Sequence, residues 1–589
     1  MSPQNAPTIR SLVNAYLAGR RTPEAVIGEI YQRIGQYADY NIWIHLQPQE
    51  AVLAQLEAQK KALLQGAHLP LFGVPFAVKD NIDVAALPTT AACPEYTYVP
   101  TQTAEAVQRL LAAGALLIGK TNMDQFATGL VGTRSPYGAV KNAFDPAYIS
   151  GGSSSGSAVA VALGLAAFSL GTDTAGSGRI PAGFNNLVGL KPTGGMISTK
   201  GVVPACRSLD CVSVFAHTTE DAALVYRVCT GEKEPAPPTV RQPARIGFPQ
   251  EAQLYFEEGT GYKALFASAC KRLGARFPVT TVDFDSFSQT AQLLYHGPWV
   301  AERMAAIEPF FQQQAASMNP VVRSIIAQAD QYSATDTFRA LAQLDRLKEQ
   351  AAAIFEKIDL LVVPTAPGIF TIEQVAEQPV ERNTRLGYYT NYVNLLGLCA
   401  LALPAGFNDA GLPFGITLIA PGGRDQQLLR LANDLQEALA ASGPSALPAP
   451  PFTEVAVAGL HKRHQPLAWQ LTSLEAAYRY TTTTSPRYRM YLLDKDGKRK
   501  PGLVRQEAGA PGCSIEVEIW YLPTDRLGAF LNLVPHPLGL GRVELADGSF
   551  VTGFICESYA AAGADDISEW GSWEAFLASG ADRKEPALA

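Results

Sequence analysis

Two serine-bearing loops and one lysine are the residues whose types and spacing could do chemistry. Ser153 lies in S-G-G-S-S-S-G-S (Ser150–Ser157), and Ser177 lies 24 residues on, in G-T-D-T-A-G-S-G (Gly171–Gly178). A small-residue apolar connector, Ala158–Leu170, separates the loops, a layout that brings two polar clusters to one cleft. Acyl transfer needs a nucleophile, a base and an oxyanion hole. The seven histidines all lie outside these loops. A lysine can replace histidine as base where burial disfavours its ammonium. Lys79 ends an apolar run that begins at Pro70 and precedes Asp80. The competing reading of Lys79 is a strand-end side chain that carries its charge out to water. The competing readings of the loops are a flexible linker and a phosphate cradle. The apolar connector and the Asp173–Arg179 spacing oppose the linker. The chain has neither G-x-x-x-x-G-K-[ST] nor a G-x-G-x-x-G between strand and helix, which opposes the cradle.

The elements that must hold these residues read as alternating helices and strands. Thr8–Ala18, Pro23–Tyr37 and Gln49–Leu64 are helical, the second entered through Thr22 and Pro23. Pro70–Asp80 is a buried strand with a polar tip. Helix–strand alternation recurs to Ala441, with Tyr255–Leu273 and Tyr388–Leu396 among the helices. Near-continuous apolar strands predict an α/β fold, a large mixed and mainly parallel sheet with helices on both faces. Ser442–Pro451 is Pro-rich and marks a boundary, giving domains 1–441 and 453–589 around a linker at 442–452. Beyond it, Arg489–Leu493, Ser514–Tyr521, Gly541–Leu545 and Ser549–Glu557 read as strands, with Asp547-Gly548 as a hairpin turn. Leu527–Leu533 and Trp573–Leu577 complete a small α+β domain.

Composition excludes several classes. The 589 residues are 47% hydrophobic and 17% charged, enough for large cores and unlike a disordered chain. The net charge of −7 and the lack of a basic stripe exclude a nucleic-acid partner. No C-x-x-C pair occurs among the eight cysteines, so neither a metal site nor a redox motif is expected. The first residues carry no secretory leader and no run is long enough to span a membrane, so a cytoplasmic location with reduced thiols is expected.

Four segments resemble the amidase signature family: P-F-A-V-K-D-N around Lys79, G-G-S-S-S-G-S around Ser153, G-T-D-T-A-G-S-G-R around Ser177, and G-L-K-P-T at Gly189–Thr193. The resemblance covers about residues 20–440. It implies a large sheet sandwiched by helices and a Ser–cisSer–Lys triad. Ser177 would be the nucleophile, Ser153 the bridging serine in a cis peptide and Lys79 the base, with Ser154 as structural support. The N–H groups of Thr174, Ala175, Gly176 and Ser177 would form the oxyanion hole, and Asp173 and Arg179 would brace the loop. No cofactor and no metal are implied.

Ala175 and the stretch Asp80–Pro94 are similar to the allophanate hydrolase subgroup. That resemblance implies allophanate, a urea-derived carboxylate, as the small-molecule substrate. Tyr295 and Arg303 would grip the carboxylate from one side of a helix, eight residues apart, and the backbone at Gly129 would form the opposite wall. It also implies a homodimer and urea carboxylase as a functional partner. The C-terminal segment Pro535–Glu557 resembles the second domain of that subgroup, which has a γ-glutamylcyclotransferase-like shape and helps decarboxylation or assembly. His461 is its candidate residue, although Ala468–Leu471 departs from the subgroup's N-H-Q-L. The alternatives are a broader amidase, the glutaminase subunit of a tRNA amidotransferase, or a retired amidase kept as a scaffold.

Overall fold

Val74–Lys79 is apolar up to its last residue, and all six of its residues are buried. A continuous apolar run, rather than an alternating one, suits a strand covered on both faces. In the computed structural model, which describes residues 8–17, 20–231, 244–295, 297–440, 452–495, 498–507 and 509–580, this strand lies inside an eleven-stranded sheet. Its strands are β1 (Trp43–Leu46), β2 (Val74–Lys79), β3 (Ala115–Thr121), β4 (Phe168–Asp173), β5 (Val188–Lys191), β6 (Cys211–Ala216), β7 (Ile246–Pro249), β8 (Val279–Val282), β9 (Leu360–Pro364), β10 (Cys399–Phe407) and β11 (Pro413–Ala420). Their order is β1-β3-β2-β4-β6-β5-β10-β11-β9-β7-β8.

The sheet is mixed, as expected, but not mainly parallel. Parallel pairing is confined to two blocks, β3-β2-β4 and β9-β7-β8. Every pair from β4 through β6, β5, β10 and β11 to β9 is antiparallel. β10 and β11 follow one another through a tight turn, and such a connection imposes antiparallel pairing. The alternation of elements suggested crossovers where the chain makes hairpins.

The connector between the two serine loops is itself an antiparallel helix–strand unit. Ser155–Ala162 is a helix with all eight residues buried, and the chain then returns as β4. Serine hydroxyls sew the two together. Ser154 Oγ donates to Thr172 O at 3.0 Å, Ser157 Oγ to Leu170 O at 3.0 Å, and Ser169 Oγ to Ser157 O at 2.8 Å. Small side chains permit this close packing, and Phe168 stacks on Phe76 of β2 at 5.3 Å. The helix Pro23–Gln36 forms as its capping residues dictate, with Thr22 accepting from Ala25 N at 3.2 Å.

The chain divides into two compact units, one made of Met1–Val13 and Arg21–Gly443 and one of Asn14–Arg20 and Pro444–Ala589. The expected linker lies outside the described residues as far as 451. The second unit contains β12 (Phe452–Val457), β13 (Ala477–Thr483), β14 (Tyr488–Lys495), β15 (Lys498–Arg505), β16 (Glu516–Pro523), β17 (Leu538–Glu544), β18 (Phe550–Cys556) and β19 (Asp565–Asp566). They form a sheet β13-β16-β12-β18-β17 and a smaller one β15-β14-β19. The Asp547-Gly548 turn joins β17 to β18 as its sequence predicts. β15 has no apolar period, and Pro501 within it is tolerated because β15 is an edge strand.

Candidate active site

Strand β2 delivers Lys79 to the interior, where it has no exposed surface. Its Nζ donates to Ser153 Oγ at 2.7 Å and to Thr172 Oγ1 at 2.7 Å. Ser153 follows a cis peptide after Gly152, and its Oγ donates to Ser177 Oγ at 2.8 Å. The three side chains thus form one hydrogen-bonded line, buried throughout. Burial pulls the Lys79 ammonium down to about 7, against the opposing charges of Asp124, Asp210 and Asp173 and with help from Arg303. Near neutral pH an amine so placed divides between its charged and neutral forms, and the neutral form can accept a hydroxyl proton.

The turn from β4 to Ser177 is braced by charge. Arg179 binds the carboxylate of Asp173 through two bonds of 2.9 Å, with both side chains buried. Burial alone would raise Asp173; the Arg179 charge and its hydrogen bonds outweigh that and hold the acid below its usual range. Asp173 Oδ1 also accepts from Gly176 N at 2.9 Å, and Oδ2 from Gly178 N at 3.0 Å. This corrects the expected oxyanion hole. The Gly176 N–H is turned to Asp173, leaving those of Thr174, Ala175 and Ser177, for which no acceptor stands among the described residues. Gly176 has φ +143°, and a Cβ there would lie 2.5 Å from Thr390 Oγ1.

Two further residues, silent in sequence, hold this turn. Asn394 Nδ2 donates to Asp173 O at 2.8 Å and Leu209 O at 3.0 Å, while its Oδ1 accepts from Arg179 at 3.2 Å. Asp210 accepts from Thr174 Oγ1 and from the N–H groups of Ala205 and Cys206. Asn394 lies more than two hundred residues beyond Asp173, so no local signal could reveal it. Thr172, by contrast, sits inside the Ser177 motif, and its place at the polar end of a strand beside Asp173 was a usable clue.

The segment Asp124–Arg134 faces this line. Its Gly129 lies against Asp124, with room for no Cβ. Phe126 and Ala127 both take left-handed φ, 50° and 51°, as do Ala91 and Ala92 opposite them. Bonds from Phe126 N to Ala91 O and from Gln125 Nε2 to Ala92 O, each 3.0 Å, join the two bends. Arg303 is buried and donates to Thr128 Oγ1 at 3.1 Å, and its charge acts on Lys79 and Asp210. Tyr295 is the last residue of the helix Asp285–Tyr295, whereas Arg303 lies on the next helix, Trp299–Gln314. The expected single helix carrying both is therefore corrected: Gly297 and Pro298 break it. The Tyr295 side chain lies outside the described residues.

His461 belongs to the second unit. It is 7% exposed, stacks on Phe554 at 4.8 Å, and its Nε2 lies 2.7 Å from Gln470 Oε1. Burial lowers its basicity despite the Gln470 bond. It lines a cavity of about 50 Å³ together with Lys500, Pro501 and Leu538. Among the described residues no cluster of His, Cys, Asp and Glu could hold a metal, and no helix is long and apolar enough to cross a membrane.

A family model described as Amidase matches residues 25–429, and one described as Allophanate hydrolase C-terminal domain matches 453–578. A urea amidolyase of Saccharomyces cerevisiae is 44% identical over 91% of this chain, which spans only 31% of that protein's length. The crystal structure of Kluyveromyces lactis allophanate hydrolase is 39% identical, covers 97% of this chain and 99% of its own, and superposes with a TM-score of 0.69. A glutamyl-tRNA(Gln) amidotransferase component of Thermus thermophilus is 33% identical, over 73% of this chain and 96% of its own length. The chain belongs to the amidase signature family, in the branch that carries the allophanate hydrolase C-terminal domain.

Proposed function

We propose that this protein hydrolyses allophanate through an acyl-enzyme on Ser177. The observation that carries the reading is the buried line from Lys79 through Ser153 to Ser177. Neutral Lys79 takes the proton of Ser153 as Ser153 takes that of Ser177, and Ser177 Oγ attacks the terminal amide carbonyl. The N–H groups of Thr174, Ala175 and Ser177 bind the developing oxyanion. The relay run backwards protonates the leaving nitrogen, which departs as ammonia. Water then cleaves the Ser177 ester by the same relay and releases a dicarboxylated amine. That product loses carbon dioxide and breaks down to ammonia and a second carbon dioxide. Water is the sole co-reactant.

Arg303 receives the substrate carboxylate with Tyr295, opposite the wall at Gly129. Asp173, Arg179 and Ser154 hold the loops. The second unit, with His461 in its cavity, assists decarboxylation. The protein works in the cytoplasm as a homodimer, with urea carboxylase as the enzyme that supplies its substrate. The yeast urea amidolyases, more than three times the length of the aligned chain, favour that pairing. The test is ammonia release from allophanate, which Ser177→Ala should abolish; retained release overturns the mechanism. The amidotransferase likeness favours a second reading, a glutaminase. A panel of allophanate, biuret, malonamate and glutamine separates the two.

A further inference from the structure

Asp124 is fully buried and touches both halves of the site. Its carboxylate accepts from Val131 N at 3.2 Å, Gly132 N at 3.0 Å and Arg134 N at 2.9 Å. Those bonds shape the wall that begins at Gly129. Its own N–H donates to Ser153 O at 3.1 Å, fixing the bridging serine from behind. Two glycines, one from each half, pack against the same oxygen. A Cβ on Gly129 would come within 2.6 Å of Asp124 Oδ2, and one on Gly152 within 2.1 Å. The wall is tied onward, because Arg134 Nη1 donates to Thr128 O at 3.0 Å and Thr128 Oγ1 accepts from Arg303. A carboxylate with three backbone donors is held rigidly, so a displacement on one side is felt on the other.

We propose that Asp124 is a positioning residue that couples the Gly129 wall, whose Thr128 accepts from Arg303, to the Ser153–Ser177 relay, so that substrate grip and nucleophile activation share one buried carboxylate. The inference rests on the relay proposed above. Its electrostatic side is the charge that Asp124 sets near Lys79. The other charges acting there are Asp210 and Asp173 on the Ser177 side and Arg303 on the helix Trp299–Gln314. Asp80, next in sequence, faces Lys120 instead, at 3.3 Å. Removing the Asp124 charge leaves the Lys79 ammonium less favoured, so Lys79 becomes neutral at lower pH.

The test measures kcat, KM and the pH profile of kcat/KM on allophanate, with the rate at which a small sulfonyl fluoride labels Ser177, in the full chain. Asp124→Asn should move the acid limb down by roughly half a unit to one unit and raise KM about tenfold. Gly129→Ala, which presses on Asp124 from the wall, should raise KM and also slow labelling several-fold, although the reagent carries no carboxylate for the wall to bind. An unmoved acid limb in a folded Asp124→Asn overturns the coupling. If that variant does not fold, Gly129→Ala decides: a raised KM with unchanged labelling overturns it. Activity retained in Ser177→Ala or Lys79→Ala overturns the relay itself, so the two failures are told apart.

Discussion

In the proposed mechanism Lys79 is a base made by burial. With its ammonium pulled down to about 7, kcat/KM should rise with pH through that region as the neutral amine forms, and a profile flat from pH 5 to 8 would contradict the assignment. Replacing it with alanine should cost about 10²–10⁴-fold in kcat. Thr172 is the quieter partner. It accepts from Lys79 at 2.7 Å and from Asn81 at 3.3 Å, which turns the amine toward Ser153. Thr172→Val keeps the shape and removes both hydrogen bonds, so kcat should fall about tenfold with KM little changed. At Arg303 the pattern reverses: Arg303→Ala should raise KM for allophanate about 10–100-fold while neutral amides are hardly affected. Equal losses on both would remove the case for carboxylate recognition.

At the scale of elements, the turn between β4 and the short helix that follows Ser177 has no room for a side chain at Gly176. Gly176→Ala would drive a Cβ to within 2.5 Å of Thr390 Oγ1 and strain a backbone at φ +143°. The turn should shift, and kcat/KM should fall at least about 100-fold; steady-state kinetics beside a melting curve would separate this from simple unfolding. This scale also divides what the sequence made legible from what it hid. Lys79, Ser153 and Ser177, which lie in one hydrogen-bonded line, could be singled out because each sits in a contiguous run whose residue types leave few other uses. The Asp173–Arg179 pair was readable for the same reason. Asn394, Asp210 and Asp124 were not, because their meaning lies in backbone groups that only the fold brings to them. β5 and β6 went unread as strands because both are short, four and six residues. The helices assigned to Tyr255–Leu273 and Tyr388–Leu396 are shorter in the structure, beginning at Tyr262 and Tyr392. Their leading tyrosines serve contacts instead, such as Tyr389 Oη donating to Tyr255 O at 2.7 Å.

At the scale of the molecule, the proposed function gives the two units different tasks. If the second assists decarboxylation, His461→Ala should leave the first ammonia at its normal rate and delay carbon dioxide release, which stopped-flow with a pH indicator can follow. Simultaneous loss of both would point to a purely structural His461. The Pro-rich stretch and the change of pattern beyond it are what set the expected boundary at 442–452. The sheet order was not legible, since pairing between β5 and β10, far apart in the chain, leaves no periodic trace.

The helix Ser155–Ala162 and its return strand have one more consequence. This unit is wholly buried and sewn by hydroxyls, and it carries a serine of the site at each end. Sites built on exposed loops fray before the protein melts; here the amides of 155–162 should be among the last to exchange with deuterium. Heat should therefore remove activity and fold together, with inactivation and melting midpoints within about a degree or two of one another, and a chain that survives warming should survive as an enzyme.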